Sequence, residues 1–380
     1  MKINSRKIIH DGLQTEEALK VLSNEIKNEQ SLHAIVERAG KILGYAVDPV
    51  AGSTEPSYGL LYGLIQSGKT SIITVTAAMA ADNGFKCIII LTSDINLLYG
   101  QTLQRIRSQL RGLTVLGKSD WENLSRFERQ IRTSPFAIVC SKNSSHLKNL
   151  IDAFKKVGSS GSHGLPTLII DDEADQASLN TKTNKNAKKR TEEISAINKY
   201  ITEIRQFFQI NTYLQVTATP QALFLQIPNG FYRPSFTVLS DPGPGYIGGE
   251  AFFELESKLL RNVDINEVEE LKSSYQPNPT HKIPIGLKES VLSFLVAATA
   301  RNINYPSENF SFLCHISHTK IDHKHVVNLI DSFRESIIVA FKNKDSSGFK
   351  KLNEDLLLAY NDIAKTEPAL PEFEKIIQRI

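Results

Sequence analysis

Between Tyr58 and about Gln226, short apolar runs alternate with longer segments whose apolar residues recur every three or four positions. A continuous apolar run suits a strand buried on both faces, and the helical period suits a helix packed by one side. The runs place strands at Tyr58–Tyr62, Lys86–Leu91, Phe136–Cys140, Thr167–Ile170 and Tyr213–Thr217, with a weaker one at Leu113–Leu116. Between them, Asp94–Leu110 puts Ile95, Tyr99, Leu103, Ile106 and Leu110 on one helical face and stops before Gly112. Ser145–Val157 does the same with Leu147, Leu150, Ile151 and Phe154, and Ile194–Phe208 with Ile197, Tyr200, Ile201, Ile204 and Phe208. Strand and helix in alternation predict an α/β fold, a parallel sheet covered by helices on both faces.

The flanks read differently. Residues 1–55 carry Leu19, Leu22, Ile26, Leu32, Ile35 and Val36 at helical spacing and form a helical N-terminal extension to a lobe at 56–230. A polar insertion between Ala177 and Thr191, with Lys182, Lys185, Lys188, Lys189 and Arg190, reads as a solvated linker more readily than as a phosphate-contacting loop. Residues 231–305 make a connector: Pro234–Gly249, rich in proline and glycine, closes the first domain, and a helix at Leu287–Asn302 follows. A strand at Phe310–Ile316 and a helix at His325–Phe341 then begin a second α/β lobe, incomplete within 306–380.

Bulk composition narrows little. Hydrophobic residues are 41% and charged residues 22% of 380, as in ordinary globular proteins. The net charge of +3 is too balanced to announce a nucleic-acid partner, so any basic surface is local. The three cysteines, Cys87, Cys140 and Cys314, are widely spaced and read as reduced thiols. No stretch approaches the ~18 apolar residues of a membrane span, and no signal-peptide core follows the N-terminus. The expectation is a cytoplasmic protein with no membrane partner.

Two segments carry chemistry. Gly63-Leu64-Ile65-Gln66-Ser67-Gly68-Lys69-Thr70 matches the phosphate-cradling pattern G-x-x-x-x-G-K-[ST] and lies between a strand and a helix. Its backbone, with Gly63, Gln66, Ser67, Gly68 and Ser71, would wrap the phosphates at a helix N-terminus; Lys69 would bridge them and Thr70 would hold Mg²⁺. Leu168-Ile169-Ile170-Asp171-Asp172-Glu173-Ala174-Asp175 is an apolar strand ending in carboxylates. Asp172 there suits Mg²⁺ and Glu173 suits the general base that activates water. Asp171 leaves a one-residue ambiguity, resolved toward Asp172 because a glutamate must follow. Thr217-Ala218-Thr219-Pro220 ends the next strand, where two hydroxyls can bond the neighbouring carboxylates and report the nucleotide state.

In this order the three motifs resemble the first RecA-like lobe of superfamily two helicases and translocases. The longer words point further. Ile65–Thr70, Ile170–Thr181, Thr217–Pro220, Pro244-Gly245-Tyr246-Ile247-Gly248-Gly249-Glu250 with Phe252-Phe253, and His315-Ile316-Ser317-His318 resemble the bacterial "Z-one" domain family of endonuclease-type proteins. The resemblance covers roughly residues 40 to 380. It implies an ATPase coupled to DNA in a restriction or anti-phage setting, with Asp175, Gln176, Thr217 and Thr219 coupling the nucleotide to motion. It also implies nucleic-acid contacts near Thr92, Ser93 and Lys142. No Gln-x-x-Gly-Arg-like word follows residue 310, so a second lobe or a partner would supply the arginine finger and this chain alone would turn over slowly. The alternative is a nucleotide-gated switch that binds ATP and scarcely hydrolyses it.

Weaker signals remain. Cys314 with His315, His318, His323 and His325 fits no standard zinc spacing. Asp241 with Glu256 and Lys258 could mimic a nuclease's Asp…Glu-x-Lys, but a solvated helix face explains the pair better. Arg105, Arg107, Arg111 and Lys118 serve equally as a phosphate track or as helix C-terminal charges.

Overall fold

Among the described residues, seven strands, each parallel to its neighbours, run through the first part of the chain: β1 (Ser57–Gly63), β2 (Cys87–Thr92), β3 (Thr114–Leu116), β4 (Phe136–Ser141), β5 (Thr167–Asp172), β6 (Asn211–Thr217) and β7 (Phe236–Ser240). Their spatial order is β3-β4-β2-β5-β6-β1-β7. The computed structural model describes residues 7–51, 55–133, 135–157, 164–177, 187–224, 233–253, 257–272 and 283–380. The polar stretch 178–186 and Glu256 lie outside those residues. The chain divides into two units, Met1–Tyr246 and Ile247–Ile380.

Every residue of β2, β4 and β6 is buried, as a sheet covered on both faces requires. Alternate residues feed opposite cores. Ile88, Ile90, Val139, Ile170 and Val216 face one set of helices, while Ile89, Leu91, Ile138, Cys140 and Tyr213 face the other. Helices Ser144–Val157 and Ala187–Phe207 cover the second face through Leu150, Phe154, Ile201 and Ile204. The α/β architecture expected for a RecA-like lobe is present.

The first face is thicker. It holds α1 (Leu13–Glu25), α2 (Glu29–Tyr45), α3 (Lys69–Asp82) and α4 (Asn96–Gln109). Ile72 to Ala81 of α3 are all buried, because α1 and α2 pack over the side of α3 that the sheet does not reach. A helix apolar all round must be covered all round. Residues 13–45 are therefore an outer layer of this unit. Asp82, at the end of α3, accepts hydrogen bonds from Gln14 N (3.0 Å), Thr15 N (2.9 Å) and Thr15 Oγ1 (2.8 Å). It thus satisfies the start of α1, whose own N-cap is Gly12.

Two expectations are corrected. The lobe expected to end at 230 continues through β7, which pairs with β1, and the first unit ends at Tyr246, inside the Pro/Gly-rich stretch. Phe236, Val238 and Ser240 are buried and alternate with exposed Thr237 and Leu239, the mark of an edge strand and not of a continuous run. In the second unit, Phe310–Ile316 is not a strand; no described strand lies in that unit to pair with it, and Leu313 is exposed. The unit is instead helical among the described residues, with helices Ile285–Asn304, Lys320–Lys342, Ser347–Ala364 and Phe373–Arg379 sharing a core of Leu292, Val296, Ile337, Leu356 and Ile376.

Candidate active site

Strand register brings the two motifs to one edge. Asp171, Gln215 and Leu60 share a row across β5, β6 and β1, and Asp172, Val216 and Leu61 share the next. In a parallel sheet all carboxyl ends lie together, so the loop after Gly63 and the turn after Asp172 leave from the same rim, separated by the width of β6.

The loop after β1 is shaped by backbone conformations that few side chains tolerate. Gln66 has φ 57° and Gly68 has φ 90°. A Cβ on Gly63 would stand 2.8 Å from Ser240 Cβ and 2.9 Å from Ser67 Oγ, so a side chain there would displace both. Lys69 begins α3 and folds over the loop, its Nζ donating to the carbonyls of Gly63 (2.9 Å) and Leu64 (2.6 Å). Burial lowers the Lys69 ammonium below the ordinary lysine range, and the carboxylates of Asp172, Asp175 and Glu173, in that order, pull it back up. The phosphate-loop lysine and the acidic turn therefore lie within one another's field.

Around β5 the carboxylates separate by environment. Asp171 is fully buried: Lys142 Nζ stands 3.0 Å from its Oδ1, and the Tyr213 hydroxyl donates to its Oδ2 at 2.5 Å. Asp172 reaches the rim. Burial pushes its carboxyl up to about 6, against the pull of the Lys142 ammonium. Glu173 is exposed and sits at φ 53°, in the left-handed region. Asp175, in the short helix Ala174–Ala177, accepts from Thr217 Oγ1 at 2.5 Å and from Thr219 Oγ1. The amide of Thr219 in turn donates to Thr217 Oγ1 at 2.9 Å. Gln176 belongs to the same helix, and its side chain is outside the described set. Thr70 and Ser71 are half-buried in the first turn of α3.

The expected nucleic-acid contacts fare unevenly. Lys142 is 3% exposed and its ammonium is taken up by Asp171 and by the carbonyls of Asp172 (2.6 Å) and Glu173 (2.7 Å). It has no reach to a phosphate, and that expectation is corrected. Thr92 is likewise buried, its hydroxyl 3.4 Å from that of Thr102. Ser93 Oγ accepts from Ile95 N at 3.3 Å, while Arg105 is exposed on α4. Arg107 pairs with Asp120 at 2.5 Å, and Lys118 Nζ lies 2.8 Å from His146 Nε2. Of the other candidates, Asp241 pairs with Arg38 at 3.2 Å and Lys258 lies in an exposed bend. His323 Nε2 stands 2.8 Å from the carbonyl of Ser317, and its ring stacks on His315.

Sequence reasoning passed over a cavity of about 330 Å³ beside the phosphate loop, lined by Arg38, Ser67, Gly68, Ser71, Ser240 and Asp241 among others. The alternation at Phe236–Ser240 was the signal that could have brought Ser240 to it. The hydroxyls of Ser67 and Ser240 are buried with no hydrogen-bond partner among the described residues. A buried hydroxyl without a partner is costly and uncommon. Gly68, the N-cap of α3, supplies no side-chain acceptor for the first amides of that helix. Partnerless hydroxyls close to a helix N-terminus and a lysine fit a polyanion. The Thr70 hydroxyl and Asp172 carboxylate are oxygen donors, the kind that suits Mg²⁺.

No protein-family model matches this chain, and no curated protein matches it in sequence. Among solved structures it is similar to the Hef helicase domain of Pyrococcus furiosus, with a TM-score of 0.33 and 11% identity, over 85% of this chain and 58% of that one. This chain thus spans less than two thirds of that domain. The likeness is too slight to carry residues or activity across, and the fold rests on its own strand order. No described helix is long and apolar enough to cross a membrane.

Proposed function

We propose that this chain binds Mg-ATP at the rim of its parallel sheet and hydrolyses it, coupling the reaction to DNA as a helicase-like translocase or remodelling ATPase. The observation that supports this most is the strand register, which brings the loop after Gly63 and the carboxylates after β5 to one rim of the sheet on either side of β6. Lys69 neutralises the transferring phosphoryl group, and the α3 amides hold the phosphates beside it. Thr70 and Asp172 would hold Mg²⁺, which when bound offsets the phosphate charge. Glu173 accepts the proton of the attacking water. Asp175, tied to both Thr217 and Thr219, passes a change at the phosphate to the end of β6. The cavity beside the loop, with the partnerless hydroxyls of Ser67 and Ser240, would receive part of the bound nucleotide.

The choice of ATP, the DNA partner and a role in restriction or anti-phage defence follow from the motif words that resemble the "Z-one" family. Calorimetry and steady-state turnover test the reading. Lys69→Ala should abolish Mg-ATP binding, and Glu173→Gln should bind normally while turnover falls by ~10²–10⁴. Stimulation of turnover by duplex or single-stranded DNA separates a motor from a nucleotide-gated switch. Unchanged turnover in Glu173→Gln would remove the general-base role.

A further inference from the structure

We infer that Lys142 is a positioning residue for hydrolysis, whose ammonium fixes the turn that presents Asp172 and Glu173; this rests on the ATPase reading above. Lys142 follows the last residue of β4, yet β4 and β5 are not neighbours, because β2 lies between them. Its amide donates to Thr92 O at 2.7 Å, at the end of β2, and its side chain crosses that strand end to reach the acidic turn. There it meets the Asp171 carboxylate at 3.0 Å and two consecutive main-chain carbonyls, those of Asp172 at 2.6 Å and Glu173 at 2.7 Å.

An ion pair alone would not need this geometry. A buried lysine and aspartate add little net stability over apolar residues of the same shape, so the pair is better explained by what it orients. What it orients is a backbone that β-sheet pairing no longer holds: β5 ends at Asp172, and Glu173 sits at φ 53°. A non-glycine residue persists in that region when its surroundings over-determine it. Two donated hydrogen bonds, to the carbonyls on either side of Glu173 N–Cα, are anchored through Asp171 and Tyr213 and provide that constraint. Lys142 lies behind the turn, so it acts on the reaction through Glu173 and not by touching substrate.

The test compares Lys142→Met with the charge-balanced Lys142→Met/Asp171→Asn, in which the new side-chain amide still accepts from Tyr213 and no buried charge is left alone. Asp171→Asn, where Lys142 keeps both carbonyls, is the reference. Mg-ATP affinity is read by calorimetry, and kcat and KM by steady-state turnover. The double variant should fold, keep its Kd and KM within ~3-fold of the unsubstituted chain, and lose ~100-fold in kcat, the scale of an ångström's misplacement at a reacting group. Asp171→Asn should lose less than ~10-fold. A folded double variant with kcat near that of the unsubstituted chain overturns the assignment. So does failure of both Lys142 variants to fold, which would make Lys142 a stability residue. Absence of Mg-ATP binding by the unsubstituted chain would be a different failure, that of the ATPase reading itself, and it takes this assignment with it.

Discussion

Asp82→Ala should loosen the N-terminal helices while leaving the sheet in place. The substitution removes the acceptor of three hydrogen bonds to the start of α1, from Gln14 N, Thr15 N and Thr15 Oγ1. Hydrogen bonds to a charged acceptor contribute ~1.5–3 kcal/mol each, but these three share one half-exposed carboxylate and do not add. Replacing a capping side chain by alanine costs ~0.5–2 kcal/mol. The expected loss is therefore about 2–3 kcal/mol. Urea unfolding followed through Trp121, the single tryptophan and fully buried in the same unit, measures it as a lower midpoint at unchanged slope. Asp82→Asn keeps one acceptor and should fall between. Gly12→Ala attacks the same contact from the other side, since its Cβ would stand 2.3 Å from Asp82 Cγ. A loss below ~0.5 kcal/mol for Asp82→Ala, the scatter of ordinary surface changes, would refute the idea that this carboxylate fastens α1.

Two further outcomes are expected. Burial pushes the Cys140 thiol up to about 12 and raises Cys87 as well, so neither forms thiolate near pH 8, whereas Cys314 is half-buried. Alkylation of the native chain followed by peptide mass analysis should modify Cys314 first, and all three cysteines after urea; early modification of Cys140 would contradict the packing of β4. Asp175→Ala frees the hydroxyls of both Thr217 and Thr219. It should leave Mg-ATP affinity within ~3-fold and abolish any DNA stimulation of turnover, and retained stimulation would sever Asp175 from coupling.

Much of the first unit was readable because buried parallel strands have no polar face. Cys87–Thr92 and Phe136–Ser141 announce themselves as unbroken runs. Phe236–Ser240 escaped because an edge strand is half exposed and this one follows a proline. Phe310–Ile316 misled for the opposite reason: an apolar run becomes a strand only beside another strand. The sharp loop between β1 and α3 was legible because glycines at fixed spacing stand between an apolar run and a helix. Lys142 and Thr92 were not, because a residue at or just past a strand end reads as exposed until the neighbouring strand ends are known. Lys142 is closed in by the turn beyond β5, two strands away. The outer layer over α3 was not legible: Ile72 to Ala81 are buried at ten successive positions only once the fold is known, and Thr74 and Thr76 interrupt the apolar run.

That outer layer decides how the molecule can be cut. A fragment started at β1 would keep the loop after Gly63 and the acidic turn, yet lay bare the flank of α3 that Ala18, Leu22, Ile35, Ala39 and Leu43 now shield. Such a piece would present a greasy rod to water and clump before any nucleotide reached it. Expression boundaries drawn around the motifs alone would thus mistake insolubility for inactivity, and a usable minimal fragment has to begin upstream of Gly12.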